Sequence, residues 1–175
     1  MGMSRLVTLC GALLLTACAA QPPYTVSRVG QQIPVGSRLE IGAPITYPAG
    51  RDTLWFQGGE IVASRHINTW LWHCSLDLRF ESRGDLPRHL EQGRFVVSGI
   101  REERLDFPVP GGSILDGDSD YLVGVVFDLA STEHPDIKAL RCERRFTDWS
   151  QERAITLADV EQQLGGYLRF SPASP

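Results

Sequence analysis

Apolar and polar residues alternate without a break in the ten-residue segment WHCSLDLRFE, residues 72–81. Trp72, Cys74 and the apolar residues at every second position after them share one face. His73 begins the polar series on the other face. A period of two over this length is typical of a half-buried antiparallel strand. The pattern therefore predicts a strand with Cys74 on its buried face and with His73 in solvent.

The segments before this strand show related patterns. Residues 38–47, RLEIGAPITY, alternate in the same way, and Pro44 cannot donate to a ladder, so we expect an edge strand there. Residues 52–57 and 60–63 flank the pair Gly58-Gly59, which predicts a hairpin.

Three further strands are predicted after residue 90. Residues 94–107 alternate with charged positions, and Gly99 is a candidate for a β-bulge. Residues 121–129, YLVGVVFDL, are apolar on both parities, as in a central strand covered on both faces. In residues 137–146, Cys142 shares one face of the predicted strand with the apolar residues Leu140 and Phe146. Arg144 falls on the same face and is an exception to the pattern.

One helix is predicted near the C-terminus. Thr156 is a candidate N-cap, with Asp159 at the third helical position and Ile155 able to pack against Val160. Leu157, Val160 and Leu164 form an apolar stripe that ends at Gly165-Gly166, and YLRF follows as a last short strand.

Seven or eight short strands separated by turn residues predict a mainly β domain. We expect an antiparallel β-sandwich or a partly open barrel with one C-terminal helix, with an α+β fold as the alternative. The predicted domain is single and covers residues 26–171, and residues 172–175 form a frayed tail.

The N-terminal segment is predicted to direct export of the chain and not to form part of the folded domain. Arg5 supplies a positive charge, and residues 6–15 form an apolar region broken only by Thr8, Cys10 and Gly11, which is too short for a hydrocarbon core that needs about 20 residues. The segment therefore predicts a signal peptide over residues 1–17 that is removed.

The sequence LTAC, residues 15–18, resembles the lipobox of bacterial lipoproteins. The resemblance implies cleavage before Cys18, a diacylglycerol on its sulfur and an acyl chain on the new N-terminus, and several acyl chains on one residue give stable membrane attachment. Ala19 stands where an aspartate would imply retention at the inner membrane, so we expect the outer membrane, with residues 18–25 as a short tether and the domain facing the periplasm. An ordinary signal peptide ending beside a cysteine is the alternative.

Charge limits the possible partners. The chain has a net charge of −4, with 17 basic and 21 acidic side chains, and removal of Arg5 with the signal makes the balance one unit more negative. Because no basic run occurs, we expect no nucleic-acid partner. The partners that remain are the membrane, through the lipid anchor, and an envelope protein, peptidoglycan or lipid.

Two of the four cysteines remain after Cys10 leaves with the signal and Cys18 is acylated. In an oxidising compartment, Cys74 and Cys142 are expected to form one disulfide. The alternatives are a zinc site, for which the spacing is absent, and a reactive Cys74 beside His73.

Other residues that could carry chemistry are interpreted as structural. Asp116, Asp118 and Asp120 have the spacing of the first calcium ligands, but Tyr121 and Phe127 occupy the later glycine and glutamate positions, so we interpret them as an acidic turn. His89 and His134 lie in polar turns and are expected in solvent. The aromatic residues Trp55, Phe56, Trp70 and Trp72 could line a ligand groove, but we interpret them as core.

A wider resemblance supports this organisation. WFQGGEI, WHCSLDLRF, RFVVSGI, a second cysteine and ITLADVEQQLG together resemble a group of small lipoproteins of Gram-negative bacteria with a β-rich domain. The resemblance implies the fold and the anchor and no mechanism. We therefore expect a non-catalytic envelope-maintenance or adaptor role without a cofactor, with a small-ligand or metal-binding lipoprotein as the alternative and an enzyme third.

Overall fold

A computed structural model describes residues 32–79, 82, 84–108, 119–147 and 153–171. The signal segment, Cys18, the tether, Asp116, Asp118 and the tail at 172–175 lie outside these residues. The elements are β1 (Arg38–Ile41), β2 (Ile45–Tyr47), β3 (Thr53–Gln57), β4 (Glu60–Val62), a 3-10 turn (Ser64–His66), β5 (His73–Leu78), β6 (Arg88–Leu90), β7 (Arg94–Pro108), β8 (Ser119–Ala130), β9 (Ile137–Phe146), α1 (Leu157–Leu164) and β10 (Leu168–Ser171).

Eight strands form one antiparallel sheet in the order β10-β1-β7-β8-β9-β5-β3-β4, which curls into a half-barrel. Strands β2 and β6 pair separately. Helix α1 contacts β10 at one end of the sheet and β3 and β5 near the other, so it lies across the opening. The predicted mainly β fold with a partly open barrel and a C-terminal helix is confirmed.

The core fills the inside of this curl. The rings of Phe127 on β8 and Phe170 on β10 lie 5.2 Å apart, and those of Phe56 on β3 and Tyr167 lie 6.0 Å apart. Strands β8 and β10 are not neighbours in the sheet, so these contacts close the half-barrel across its interior. Burial of such aromatic side chains is the main source of stability for a fold of this kind.

The β3–β4 hairpin and α1 hold each other in place. Gly58 and Gly59 both have left-handed φ angles, 62° and 86°, which glycine adopts without steric cost. The Gly58 N–H donates to Gln163 Oε1 at 2.8 Å, and the Gly59 N–H donates to the Gln163 carbonyl at 3.1 Å. The predicted hairpin is confirmed, and its turn is tied to the helix C-terminus.

The predicted helix start is also confirmed. The Thr156 hydroxyl accepts a hydrogen bond from the Asp159 N–H at 3.2 Å, and the Thr156 N–H donates to Asp159 Oδ2 at 2.9 Å. This reciprocal pair is a capping box. Gly165, with φ 58°, ends the helix as the sequence predicted.

The prediction of one edge strand over residues 38–47 is wrong. The segment breaks at Gly42, whose N–H donates to the Tyr167 carbonyl at 2.8 Å, and a Cβ there would lie 2.5 Å from the Gly166 carbonyl oxygen. Strand β1 lies between β10 and β7, while Ile45–Tyr47 pairs with β6. The break lets the chain leave the main sheet before Pro44, which has no N–H to donate.

The predicted disulfide is confirmed as a bridge between neighbouring strands. Cys74 on β5 lies directly opposite Cys142 on β9, and their Cα atoms are 4.0 Å apart. Both side chains are fully buried on the core face. The register of β7 against β8 shifts between Val97 and Gly99, which confirms the predicted bulge.

Candidate functional site

The face of the sheet opposite the core carries a row of side chains across five strands. In the register, Trp55 on β3 lies opposite Ser75 on β5, followed by Arg141 on β9, Val126 on β8 and Arg101 on β7. Adjacent strands are about 4.8 Å apart, so the row spans about 19 Å. We call this side of the sheet the polar face.

Small residues make a depression in the middle of the polar face. Ser75 and Ala139 are buried there, and buried Val126 and Gly124, which has no side chain, lie beside them on β8. A Cβ at Gly124 would lie 2.7 Å from the Cys142 carbonyl oxygen, so β8 and β9 approach closely only because this residue is glycine. Longer side chains stand around this floor and make its walls.

The depression is an open cleft of about 740 Å³, which we call the polar-face cleft. Its polar and aromatic lining includes Trp55, Ser75, Asp77, Arg101, Arg141 and Glu143. Leu105 and Leu122 add apolar surface at one end. The volume lies within the range of roughly 300–1,000 Å³ that is typical of small-ligand pockets.

A chain of alternating charges, which we call the charge ladder, crosses four strands at this cleft. Arg101 lies 3.3 Å from Asp128 and 3.5 Å from Glu103, which also pairs with Arg141. Arg141 Nε in turn lies 3.9 Å from Asp77 Oδ2. Each ladder charge therefore has an opposite charge beside it, which fixes the orientation of long side chains that would otherwise be mobile.

Burial raises the pKa of the Asp77 carboxyl, and the Ser75 hydroxyl bond and the Arg141 guanidinium act in the opposite direction. Taking a carboxylate out of water disfavours its charged form, so the direction follows from its position at the base of the cleft wall. Burying the charged carboxylate of Asp77 therefore destabilises the folded protein at neutral pH, and the pairing with Arg141 in the ladder offsets part of this cost.

The expectation that His73 lies in solvent is wrong, because its side chain is 1% exposed. Its Nδ1 lies 3.1 Å from the Leu71 carbonyl, which can only accept, so this nitrogen carries the proton. Nε2 lies 3.4 Å from Glu143 Oε1, and the ring contacts Trp55 at 5.7 Å between centroids. His73 does lie on the predicted face, but neighbouring side chains cover it.

His134 is a second correction. Its ring is half-buried against Phe95, with 5.9 Å between ring centroids, and its Nε2 lies 2.9 Å from the Gln92 carbonyl. His89 is exposed, as expected, with Nδ1 3.0 Å from Thr46 Oγ1. Neither residue lines the polar-face cleft.

The four aromatic residues predicted as core separate into three environments. Phe56 and Trp72 are buried in the core, as predicted. Trp55 instead points to the polar face and lines the cleft, and Trp70 is 42% exposed, with the Arg145 guanidinium 4.9 Å from its ring centroid. Of the four residues, only Trp55 lines a groove, and its role toward a ligand stays a prediction.

Of the residues predicted for lipidation or considered for metal binding, the structure describes only Asp120. Cys18, Asp116 and Asp118 lie outside the described residues, so their roles stay predictions. Asp120 is described, and its carboxylate pairs with Arg145. In the described part of the chain, no group of three or more His, Cys, Asp or Glu side chains is placed to hold a metal ion.

The polar-face cleft was missed at the level of the sequence, although its signal was present. The polar face predicted for residues 72–81 contains Ser75 and Asp77. Arg141 and Glu143 flank Cys142 in the sequence and therefore point to the face opposite Cys142. Antiparallel pairing outward from directly opposed cysteines would have placed these residues side by side, since Cys74 and Cys142 fix the register.

Comparisons of the chain with models of protein families, with curated proteins and with solved structures found no match. Within the described ranges, no helix has both the length and the apolar character needed to cross a membrane.

Proposed function

We propose that this protein is a lipid-anchored, non-catalytic binding protein of the bacterial outer membrane. Its β domain faces the periplasm and holds its ligand or envelope partner in the polar-face cleft. The observation that carries this proposal is the cleft itself, in which Trp55, Ser75 and the charge ladder converge on about 740 Å³. Convergent polar groups beside an aromatic wall are typical of small-ligand sites.

The anchor is supported by the sequence LTAC and by the two remaining cysteines. A disulfide between Cys74 and Cys142 fits a domain that folds outside the cytosol. Lipidation of Cys18 is supported by the sequence alone, and this part of the proposal is tested separately below.

Binding is favoured over catalysis by the way the titratable groups are arranged. Asp77 and Glu103 both face Arg141, and Glu143 faces His73. A general base must reach the proton that it removes, whereas His73 is buried beneath its neighbours. The arrangement supports a rigid recognition surface.

An adaptor role through an apolar surface is the second candidate. Trp70 and Leu71 are adjacent and exposed, at 42% and 54%. The other large exposed apolar residues of the described chain are scattered: Val35 and Leu86 lie outside the strands, and Val96 and Leu105 lie at different positions along β7. Since the polar groups converge and the apolar ones are dispersed, the cleft is the better-supported binding surface.

Photo-crosslinking in the periplasm tests the cleft as the binding surface. Leu105, which lines the cleft and is 49% exposed, is replaced by p-benzoylphenylalanine in the full-length protein. The control carries the same residue at Leu86, which is 80% exposed and lies outside the cleft lining. We expect a light-dependent adduct that is specific to position 105.

Equal crosslinking from both positions, or none from position 105, would contradict binding in the cleft. Membrane fractionation of the same cells tests the anchor independently. Recovery of the uncrosslinked protein in the soluble fraction would reject the anchor without affecting the result at Leu105.

A further inference from the structure

The charge ladder restricts the charge of an occupant that lies on it, while Arg79 and Lys138 line other parts of the cleft. Every member of the charge ladder already has an oppositely charged neighbour within 4 Å, for example Arg101 between Asp128 and Glu103. A charged ligand would have to compete with these pairs and break some of them. A neutral ligand can add hydrogen bonds and leave every pair in place.

The ladder still offers hydrogen-bonding capacity to such a ligand. A guanidinium has five N–H donors and a carboxylate has about four acceptor sites, so a single ion pair leaves most of them open. The ladder alternates donors and acceptors from Asp77 through Arg141 to Glu103, and Asp77, Arg141 and Arg101 line the cleft. A row of hydroxyl groups, each of which donates and accepts, matches that alternation.

Trp55 supplies the complementary apolar surface. It stands on β3 at one end of the row, half-buried, with one side against His73 and with exposure to the cleft. Sugar rings present C–H groups on one face and hydroxyls around the edge, so they suit an aromatic wall beside planar polar side chains. Ser75 and Ala139, which are short and buried, line the cleft beside this wall.

We propose that the polar-face cleft binds a neutral glycan of several rings, with one sugar ring against Trp55 and the hydroxyls of the glycan along Asp77, Arg141 and Arg101. This inference rests on the proposed binding function and adds the chemical class of the ligand. The volume of about 740 Å³ suits an oligosaccharide of a few rings.

The first test uses the full-length protein in detergent micelles on a printed array of neutral and acidic oligosaccharides. The strongest neutral probe is then titrated calorimetrically, with maltotetraose and N-acetylchitotetraose as defined reference probes. We expect saturable binding of a neutral probe, with the same affinity at low and high salt, because screening acts on charged ligands. Binding of acidic probes alone, or of no neutral probe, would overturn the proposal.

The second test locates the site with two tryptophan variants. Trp55→Ala should weaken binding of the same probe by about tenfold or more, as for other buried aromatic anchors. Trp70→Ala is the matched control, because Trp70 is exposed outside the cleft, and it should bind like the wild type. Equal losses in both variants, or none in Trp55→Ala, would reject the assignment.

A conservative variant separates recognition from folding. Trp55→Phe keeps an aromatic face and should retain more binding than Trp55→Ala. If Trp55→Ala melts early, the comparison rests on Trp55→Phe and on Arg101→Gln. Arg101 is half-exposed at the cleft rim, so replacing its five-donor guanidinium by a two-donor amide should weaken binding severalfold without unfolding the domain.

The outcomes distinguish this inference from the function on which it rests. Specific crosslinking from position 105 without neutral glycan binding rejects the glycan and leaves the binding function standing, with a protein partner as the remaining occupant. Absence of both rejects the two together.

Discussion

At the residue scale, parity in the sequence assigned most side chains to the correct face and could not assign their burial. Cys74 and Cys142 lie in the core as predicted, and His73 lies on the predicted opposite face. That face is covered at His73 by Trp55 and the chain around Leu71, which come from other strands and loops. A period of two in the sequence indicates on which side of a strand a residue lies, and it does not indicate whether other parts of the chain cover that side.

The disulfide should contribute a large share of the stability. It closes a loop with a sequence separation of 68, worth about 4–5 kcal/mol in the chain-entropy model as an upper figure. That is large against a typical total of about 5–15 kcal/mol. We expect Cys74→Ser and Cys142→Ser each to lower the urea midpoint strongly, and the double variant to be little worse than either.

Thiol titration checks the same prediction directly. Periplasmic protein denatured without reductant should show no free thiol from these two positions. Two reactive thiols would contradict the disulfide and return attention to Cys74 as a reactive group.

Asp77 should make the domain less stable as pH rises above the acid range. Because burial raises its pKa from the ordinary 3.8, the folded state keeps the proton to a higher pH than the unfolded state does. Stability attributable to Asp77 therefore falls as pH rises through the folded pKa. We expect Asp77→Asn to remove this fall.

Urea unfolding at a series of pH values above about 4 provides the measurement. The free-energy difference between Asp77→Asn and the wild type should grow in favour of the variant as pH rises. The exposed Asp85→Asn is measured in parallel to correct for the loss of one carboxyl. A difference that is constant with pH, or that grows in the other direction, would contradict the assignment.

At the element scale, features encoded by neighbouring residues were predictable and those set by distant pairing were not. The capping box of Thr156 and Asp159 and the Gly58-Gly59 hairpin are local, and both are confirmed. The break at Gly42 depends on contacts with residues 166 and 167, at the far end of the chain. Gly42 and Pro44 mark a weak point in residues 38–47, but the separate partners of the two halves cannot be read from that segment.

The helix start offers a clean test of a local feature. Thr156→Ala removes the side-chain cap and should destabilise the domain by about 0.5–2 kcal/mol, while exposed Thr132→Ala should change stability little. Calorimetric melting of both variants gives the comparison. Equal effects in the two variants would show that the cap is not the source.

The same box should lose its contribution in strong acid. A hydrogen bond from Arg153, with bonds from Thr156, lowers the pKa of Asp159 to about 2. The stabilisation is complete above the ordinary pKa of 3.8 and is lost as pH falls toward about 2. The cost of Asp159→Asn should therefore shrink between about pH 4 and pH 2, and an unchanged cost over that range would contradict the pairing.

At the scale of the whole molecule, one curled sheet serves two purposes. Its core face is closed by α1 and joined by the disulfide, which leaves the polar face free to form a cleft on rigid, hydrogen-bonded strands. Sites held on strands keep their geometry better than sites on loops. The sequence predicted the β fold and the bridge, but the cleft appears only when five strands are set in register.

The central claim is that this β domain is held to a membrane by lipid on Cys18 and held together by one disulfide. Intact-mass spectrometry of the full-length gene product, extracted from membranes with detergent, tests both parts at once. The account predicts a mature chain beginning at Cys18, heavier by a diacylglycerol and an acyl chain, that gains two hydrogens on reduction. A chain that begins elsewhere, or that carries an unmodified Cys18, would contradict it.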